Sequence, residues 1–258
     1  MLQVLPALGM GGVERGTVDI AAALTRAGWR AVVASAGGPL VSELERMGAV
    51  HVTVPLDRRN PLSIRSNARR LAEVIGRYDV DIVHARSRGP AWSGRMAARA
   101  TGRHFMTTFH GTHRHGSWAK RQYNAIMGRG ERVIAISRFI AEHAYAVYGV
   151  PAERLRIIPR GIDFRRFDPQ AVTGERMVRL AREWRLPDGV PVVMLPARFS
   201  RWKGHEVAID AIARLADREL YCVFVGALDA RDAYRKELET RILAKGMGGR
   251  FQMVPDCR

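Results

Sequence analysis

Two cysteines in 258 residues cannot build a disulfide framework. Cys222 lies in the strand-like run LYCVFVG, where a small buried thiol is ordinary, and Cys257 is the penultimate residue. Long apolar runs are missing too: none approaches the ~20 residues that a bilayer-spanning helix requires. The chain start lacks the basic-then-apolar layout of a signal peptide, because the short run 2–8 leads straight into glycine. Together these absences predict a cytoplasmic protein held together by hydrophobic cores, for which a 47% hydrophobic content is ample. Aromatic residues are sparse at 7%, so aliphatic side chains must fill those cores.

Lysine is nearly absent as well, with four residues (Lys120, Lys203, Lys236, Lys245) among 42 basic ones. The net charge of +17 is therefore an arginine charge. A coding bias toward arginine accounts for the type of residue but not for its distribution. Residues 1–170 hold 26 basic and 13 acidic side chains, whereas residues 171–258 hold 16 and 12. The first part carries most of the field, which favours an anionic partner: a phosphorylated ligand, an acidic lipid surface or nucleic acid.

Apolar, β-branched runs at 2–8, 30–36, 49–56, 81–86, 104–111, 132–137 and 155–161 alternate with helix-period segments such as 13–28, 40–48, 62–78 and 138–149. Such alternation predicts a parallel sheet covered on both faces, an α/β domain over residues 1–165. A polar stretch with Asp-Pro and Pro-Asp turns around one helix reads as a linker over 166–190. The pattern then restarts over 191–258 with strands at 192–198, 221–227 and 250–256 and helices at 205–215 and 233–246. Three strands and two helices make half of a doubly wound domain, so the chain is expected to be truncated within a second, incomplete Rossmann-like domain.

Two loops carry candidate chemistry. Gly9-Met10-Gly11-Gly12-Val13-Glu14 follows a strand and opens a helix, but Glu14 stands where a dinucleotide fingerprint needs its third glycine. No Gly-Lys-Ser/Thr follows, which excludes a P-loop. The loop is open to two readings, a tight turn that needs only glycine's freedom and a helix start that favours an anion. In the second loop, ARFSRWKGHEVAID, Arg198 ends a strand and Lys203 precedes a glycine and a helix. A guanidinium fork and a point charge at the carboxyl end of a strand suit a diphosphate. A solvated loop with two cations is the plainer reading of the same spacing.

Read in order, GGVER, DIVHAR, TFHG, VIAIS, IIPRGID and R-x-x-x-x-K-G resemble the glycosyltransferase family 4 enzymes over essentially the whole chain. The resemblance implies a GT-B fold of two Rossmann-like domains and a retaining transfer of sugar from a nucleotide-diphosphate donor, without a metal or other cofactor. It implies a cleft with the acceptor on the first domain, and the donor on the second. Arg198 and Lys203 would then hold the donor diphosphate. Gly11 and Gly12 would let the backbone approach it, and His110 would be the catalytic-site histidine, orienting rather than attacking the sugar. Arg15, Arg86, Ser87 and Arg88 are weaker candidates for an anionic acceptor. The acceptor implied is a glycan or lipid-linked glycan of cell-envelope polysaccharide or lipopolysaccharide type. Three departures from the family pattern stand out: Ala197 in place of glycine, Arg160 in place of the asparagine of P-N-G, and no downstream glutamate pair for the donor. Glu175 and Glu183 have that pair's spacing but precede the donor domain. Activity of this chain alone is therefore expected to be impaired.

Other classes are weaker. His110, His113 and His115 cluster in HGTHRHG, but no carboxylate accompanies them and the spacing fits no zinc signature. The dispersed arginines and the lack of any finger, zipper or RNA-recognition motif argue against a nucleic-acid partner. Basic stretches at 58–70 and 114–132, with Trp118 and Tyr123, suggest peripheral contact with an acidic membrane surface, against the alternative of a solvated helix face. A non-catalytic remnant, or a basic module binding anionic surfaces, is the remaining alternative.

Overall fold

The apolar runs of the first part become short parallel strands: β1 (Leu2–Val4), β2 (Val32–Ser35), β3 (Val50–Thr53), β4 (Ile82–Ala85), β5 (His104–Phe109), β6 (Arg132–Ala135) and β7 (Leu155–Ile157). This is seen in a computed structural model that describes residues 1–58, 60–112, 116–164, 167–215, 217–226 and 233–255. Arg59, His113, Arg114, His115 and Cys257, all part of the expectations above, lie outside the described residues. The chain divides into two units, Met1–Ile162 and Asp163–Arg258.

In the first unit the seven strands form one parallel sheet in the order β3-β2-β1-β4-β5-β6-β7. Side chains alternate between the two faces, which is why the strands look continuously apolar. Val32 and Ala34 of β2 enter one core with Leu2, Val4, Val83 and Phe109. Val33 between them enters the other, with Leu5, Val18 and Leu44. The covering helices are α1 (Gly12–Arg26), α2 (Val41–Arg46), α3 (Pro61–Arg77), α4 (Arg88–Ala100), α5 (Trp118–Asn124) and α6 (Arg138–Tyr148). Local chemistry sets their starts. Asn60 accepts from the Ser63 N–H and Pro61 opens α3, Ser117 accepts from the Lys120 N–H before α5, and Ser137 accepts from the Ile140 N–H before α6. Leu71, Val74 and Ile75 then place one face of α3 in the core.

The second unit has α7 (Gly174–Glu183), β8 (Val192–Pro196), α8 (His205–Ala213), β9 (Tyr221–Gly226), α9 (Ala233–Ala244) and β10 (Phe251–Pro255). Its parallel sheet runs β10-β9-β8, with β8 at an edge. One face packs Phe199, Ile209, Ile212, Cys222, Phe224, Leu238 and Ile242 together. Burial pushes the Cys222 thiol up to about 11, so it serves as a packing group. The segment expected as a linker contributes to this unit: Trp184 is buried against Val223 and Val254, with Leu186 beside it.

Candidate functional site

Strand register assembles one edge of the first sheet. Val4 is level with Ala85, and Ala85 with Thr107. The residues that follow therefore leave the sheet side by side: the glycine loop after β1, Arg86 after β4 and His110 after β5. This is the carboxyl edge, where parallel α/β sheets bind their ligands. His84, in the strand below Arg86, is buried, and its Nε2 lies 2.7 Å from Thr108 Oγ1. Loss of solvent is the main cause that drives its pKa well below the usual imidazole value, with the positive charges of Arg86 and His110 adding to it. His110 itself is half-buried immediately beyond Phe109.

Gly11 is the N-cap of α1 in an extended conformation. The space over Gly11 and Gly12 is filled by the chain's own side chains. The Glu14 carboxylate folds back over Gly11, close to the positive end of the helix. The Arg160 guanidinium lies over Gly12 and Gly16 and donates to the Gly12 carbonyl. Glycine here makes room for an arginine: a Cβ at Gly12 would stand 2.8 Å from Arg160 Nη1.

The weaker acceptor candidates separate. Arg15 is in α1 and grips Glu43 with both Nη atoms, at 2.6 and 2.7 Å. Its fork is engaged within the protein. Arg86 is only 6% exposed and donates to Gln3 Oε1 at 3.2 Å. Ser87 is the N-cap residue of α4 without a side-chain cap bond, and Arg88 belongs to the helix, donating to Asn124 Oδ1 at 2.8 Å. Residues 86–88 are thus no continuous basic loop, because the start of α4 turns successive side chains in different directions. Tyr123 also departs from expectation. It is half-buried against Trp92, with ring centroids 6.3 Å apart, whereas Trp118 stands 77% exposed.

In the second unit Arg198 and Lys203 flank the exit from β8, and both are exposed. Between them Arg201 is taken up by two carboxylates, Glu237 at 2.9 Å and Glu206 at 3.2 Å. Neither Arg198 nor Lys203 has an ion pair among the described residues. The Lys203 ammonium lies 4.1 Å from the Trp202 ring centroid, a contact that leaves its N–H groups available. Below the loop, His205 is buried and stacks on Phe199, with centroids 5.1 Å apart. Among the described residues no group of three or more His, Cys, Asp and Glu is arranged to hold a metal.

The sequence profile of Glycosyltransferase Family 4 matches residues 10–166, more than half of the chain. This chain belongs to glycosyltransferase family 4. Among solved structures, a glycosyltransferase from Rickettsia africae ESF-5 is 34% identical with a TM-score of 0.88, over 99% of this chain and 68% of that one. The Anabaena protein HepE, crystallised with UDP and glucose, has a TM-score of 0.83 at 22% identity, over 100% of this chain and 69% of that one. The shared fold is the α/β GT-B architecture. A D-inositol 3-phosphate glycosyltransferase of Xylanimonas cellulosilytica is 26% identical over 132 residues, which are 50% of this chain and 31% of that protein. A second curated relative, from Catenulispora acidiphila, is matched over 46% of its length, so the chain spans less than half of the curated relatives it matches.

His84 also belongs to this edge. It sits inside an apolar strand, where periodicity marks it only as core. It also sets a pH dependence. Below pH ~6.5 the unfolded chain takes up a proton that folded His84 refuses, so its contribution to stability is full above that pH and is lost as the pH falls. The expected slope is up to about 1.4 kcal/mol per pH unit below ~6.5. His84→Gln, which keeps a partner for Thr108, should flatten that part of the curve. Urea unfolding at pH 8, 6 and 5 checks this, and equal slopes in both proteins would remove His84 as the cause.

Proposed function

We propose that this chain belongs to an enzyme that transfers a sugar, with retention, from a nucleotide-diphosphate donor to a glycan or lipid-linked acceptor. One observation carries the reading: Arg198 and Lys203 stand exposed at the carboxyl end of β8 without ion-pair partners among the described residues, while Arg201 between them is neutralised. Two available cations at the end of a parallel strand can take the charge that builds on a leaving diphosphate. No metal is then needed for that task. His110, at the carboxyl edge of the first sheet, would orient the donor sugar by hydrogen bonding. HepE's crystallisation with UDP and glucose supports a nucleotide sugar as the donor class.

The same reading places the protein at the cytoplasmic face of a membrane, working on envelope polysaccharide or lipopolysaccharide precursors. Among the described residues no helix is long and apolar enough to cross a membrane. Support for peripheral contact comes from Trp118 of α5 and Phe139 and Tyr145 of α6, all exposed on helices that also carry Lys120, Arg121 and Arg138. Aromatic rings beside basic residues suit an anionic interface.

Calorimetric titration with UDP-, GDP- and ADP-sugars tests the donor site. Binding of the preferred nucleotide should weaken about tenfold or more in Arg198→Ala and in Lys203→Ala, as the loss of a charge-assisted contact predicts. Equal affinity in both variants and the parent chain would overturn the assignment.

A further inference from the structure

At the carboxyl edge of the first sheet Arg15 is neutralised by Glu43 and Arg88 is engaged by Asn124. Arg86 and Arg160 have no such arrangement. Neither forms an ion pair among the described residues, and they converge on one bare patch of α1. A Cβ at Gly16 would lie 2.8 Å from Arg160 Nη2 and 3.2 Å from Arg86 Nη2. Two guanidiniums therefore meet at one point, and among the described residues no carboxylate pairs with either.

Their settings differ in a useful way. Arg86 is almost wholly buried, with one Nη on Gln3 and its Nε without a hydrogen-bond partner. Gln3 is itself buried and anchored by donating to the Thr17 carbonyl at 3.1 Å, so Arg86 is held from below. Burial, with the charge of Arg160 added, draws the Arg86 pKa down to about 10, so it remains a cation at neutral pH. Glu14 and Asp19 act on it only through the field. Arg160 closes over the top from the exposed chain beyond β7. Like charges this close repel each other, more so where solvent is excluded. A buried arginine keeps such a neighbour at least cost when an anion with several oxygens bridges the two forks.

We infer that Arg86 and Arg160, over the Gly12–Gly16 face of α1, form a binding site for a phosphoryl group. The inference deepens the sugar-transfer reading by giving the first unit an anionic substrate group of its own, carried by an acceptor phosphate or by the donor diphosphate. Phosphate, with tetrahedral oxygens and high charge, fits two planar forks better than a carboxylate, whose two oxygens one guanidinium already satisfies.

Calorimetry of this chain in chloride-poor, low-salt buffer tests the site, with inorganic phosphate, glycerol 3-phosphate and UDP as probes. Inorganic phosphate should bind the parent chain, and Arg160→Gln should weaken it about tenfold or more. Arg160 is exposed, so its loss leaves the core intact. Gly16→Ala gives a second check: its Cβ enters the space between the forks, so phosphate binding should weaken. The double variant Arg198→Ala/Lys203→Ala should keep phosphate binding, which separates this site from the donor assignment. Loss of glycerol 3-phosphate binding in Arg160→Gln with UDP unaffected identifies an acceptor phosphate; loss of UDP binding identifies the donor. No phosphate binding by the parent chain, or undiminished binding in Arg160→Gln or Gly16→Ala, overturns the proposal.

Discussion

Gly226→Ala is expected to destabilise the second unit by about 3 kcal/mol or more and to displace Arg198 with it. Gly226 ends β9, where the backbone runs against the chain leaving β8. A Cβ there would fall on the Ala197 carbonyl and would stand 3.3 Å from the Arg198 Cα. The obstacle is backbone, which cannot rotate aside as a side-chain tip can. The end of β8 would have to move, straining the bond from the Ala197 N–H to the Val225 carbonyl, 2.8 Å in the present structure. Gly249→Ala is the control, because a Cβ at that position meets nothing within 4 Å. Chemical unfolding followed by Trp fluorescence, read for each unit where the transitions separate, gives the comparison. Nucleotide-sugar titration then shows whether the loop carrying Arg198 has shifted. If the two variants are equally stable, the close approach of β9 to the β8 exit is wrong.

Phe109→Ala should cost the first unit about 3–5 kcal/mol. The ring is fully buried at the end of the interior strand β5 and stacks on Tyr148 of α6, with centroids 5.6 Å apart. Removing it opens a cavity between sheet and helix and frees the residue that precedes His110. Phe109→Leu keeps most of the volume and should lose less than about 1.5 kcal/mol. Urea unfolding of the two variants measures the difference. A penalty below about 2 kcal/mol for the alanine variant would mean that the core around β5 collapses to fill the gap, and that His110 does not depend on the ring for its place.

The strands were legible because a sheet covered on both faces needs apolar side chains at every position, and β-branched runs at Val32–Ser35 and Tyr221–Gly226 supply them. The helix α3 was legible from its helical period, and Asn60-Pro61 sets where it starts. In α4 the signals conflict, since Gly89, Pro90 and Gly94 are usually breakers. Pro90 lies in the first turn, where no hydrogen bond is lost. Gly94 packs against the sheet, with a notional Cβ 3.3 Å from Val4 and Val83. The candidate cations of the second loop follow one another closely in sequence, and their spacing displayed them. Arg160 was visible only as a departure from a motif. Its partner Gly12 is 148 residues away, and no local pattern encodes that meeting. Trp184 was likewise hidden in a polar stretch that composition marks as a connection.

Glu237 acts on the turn after β8 from outside it. From α9 it holds the middle cation of the β8–α8 turn, while Glu206 holds the same guanidinium from α8. The turn is thus guyed from two sides, with its outer charges left to swing only as far as that central stay permits. If the turn holds the donor diphosphate as proposed, a neutral substitution at Glu237 on α9 should retune that grip. Random mutagenesis scored by nucleotide-sugar affinity should return hits at Glu237 as well as in the turn itself.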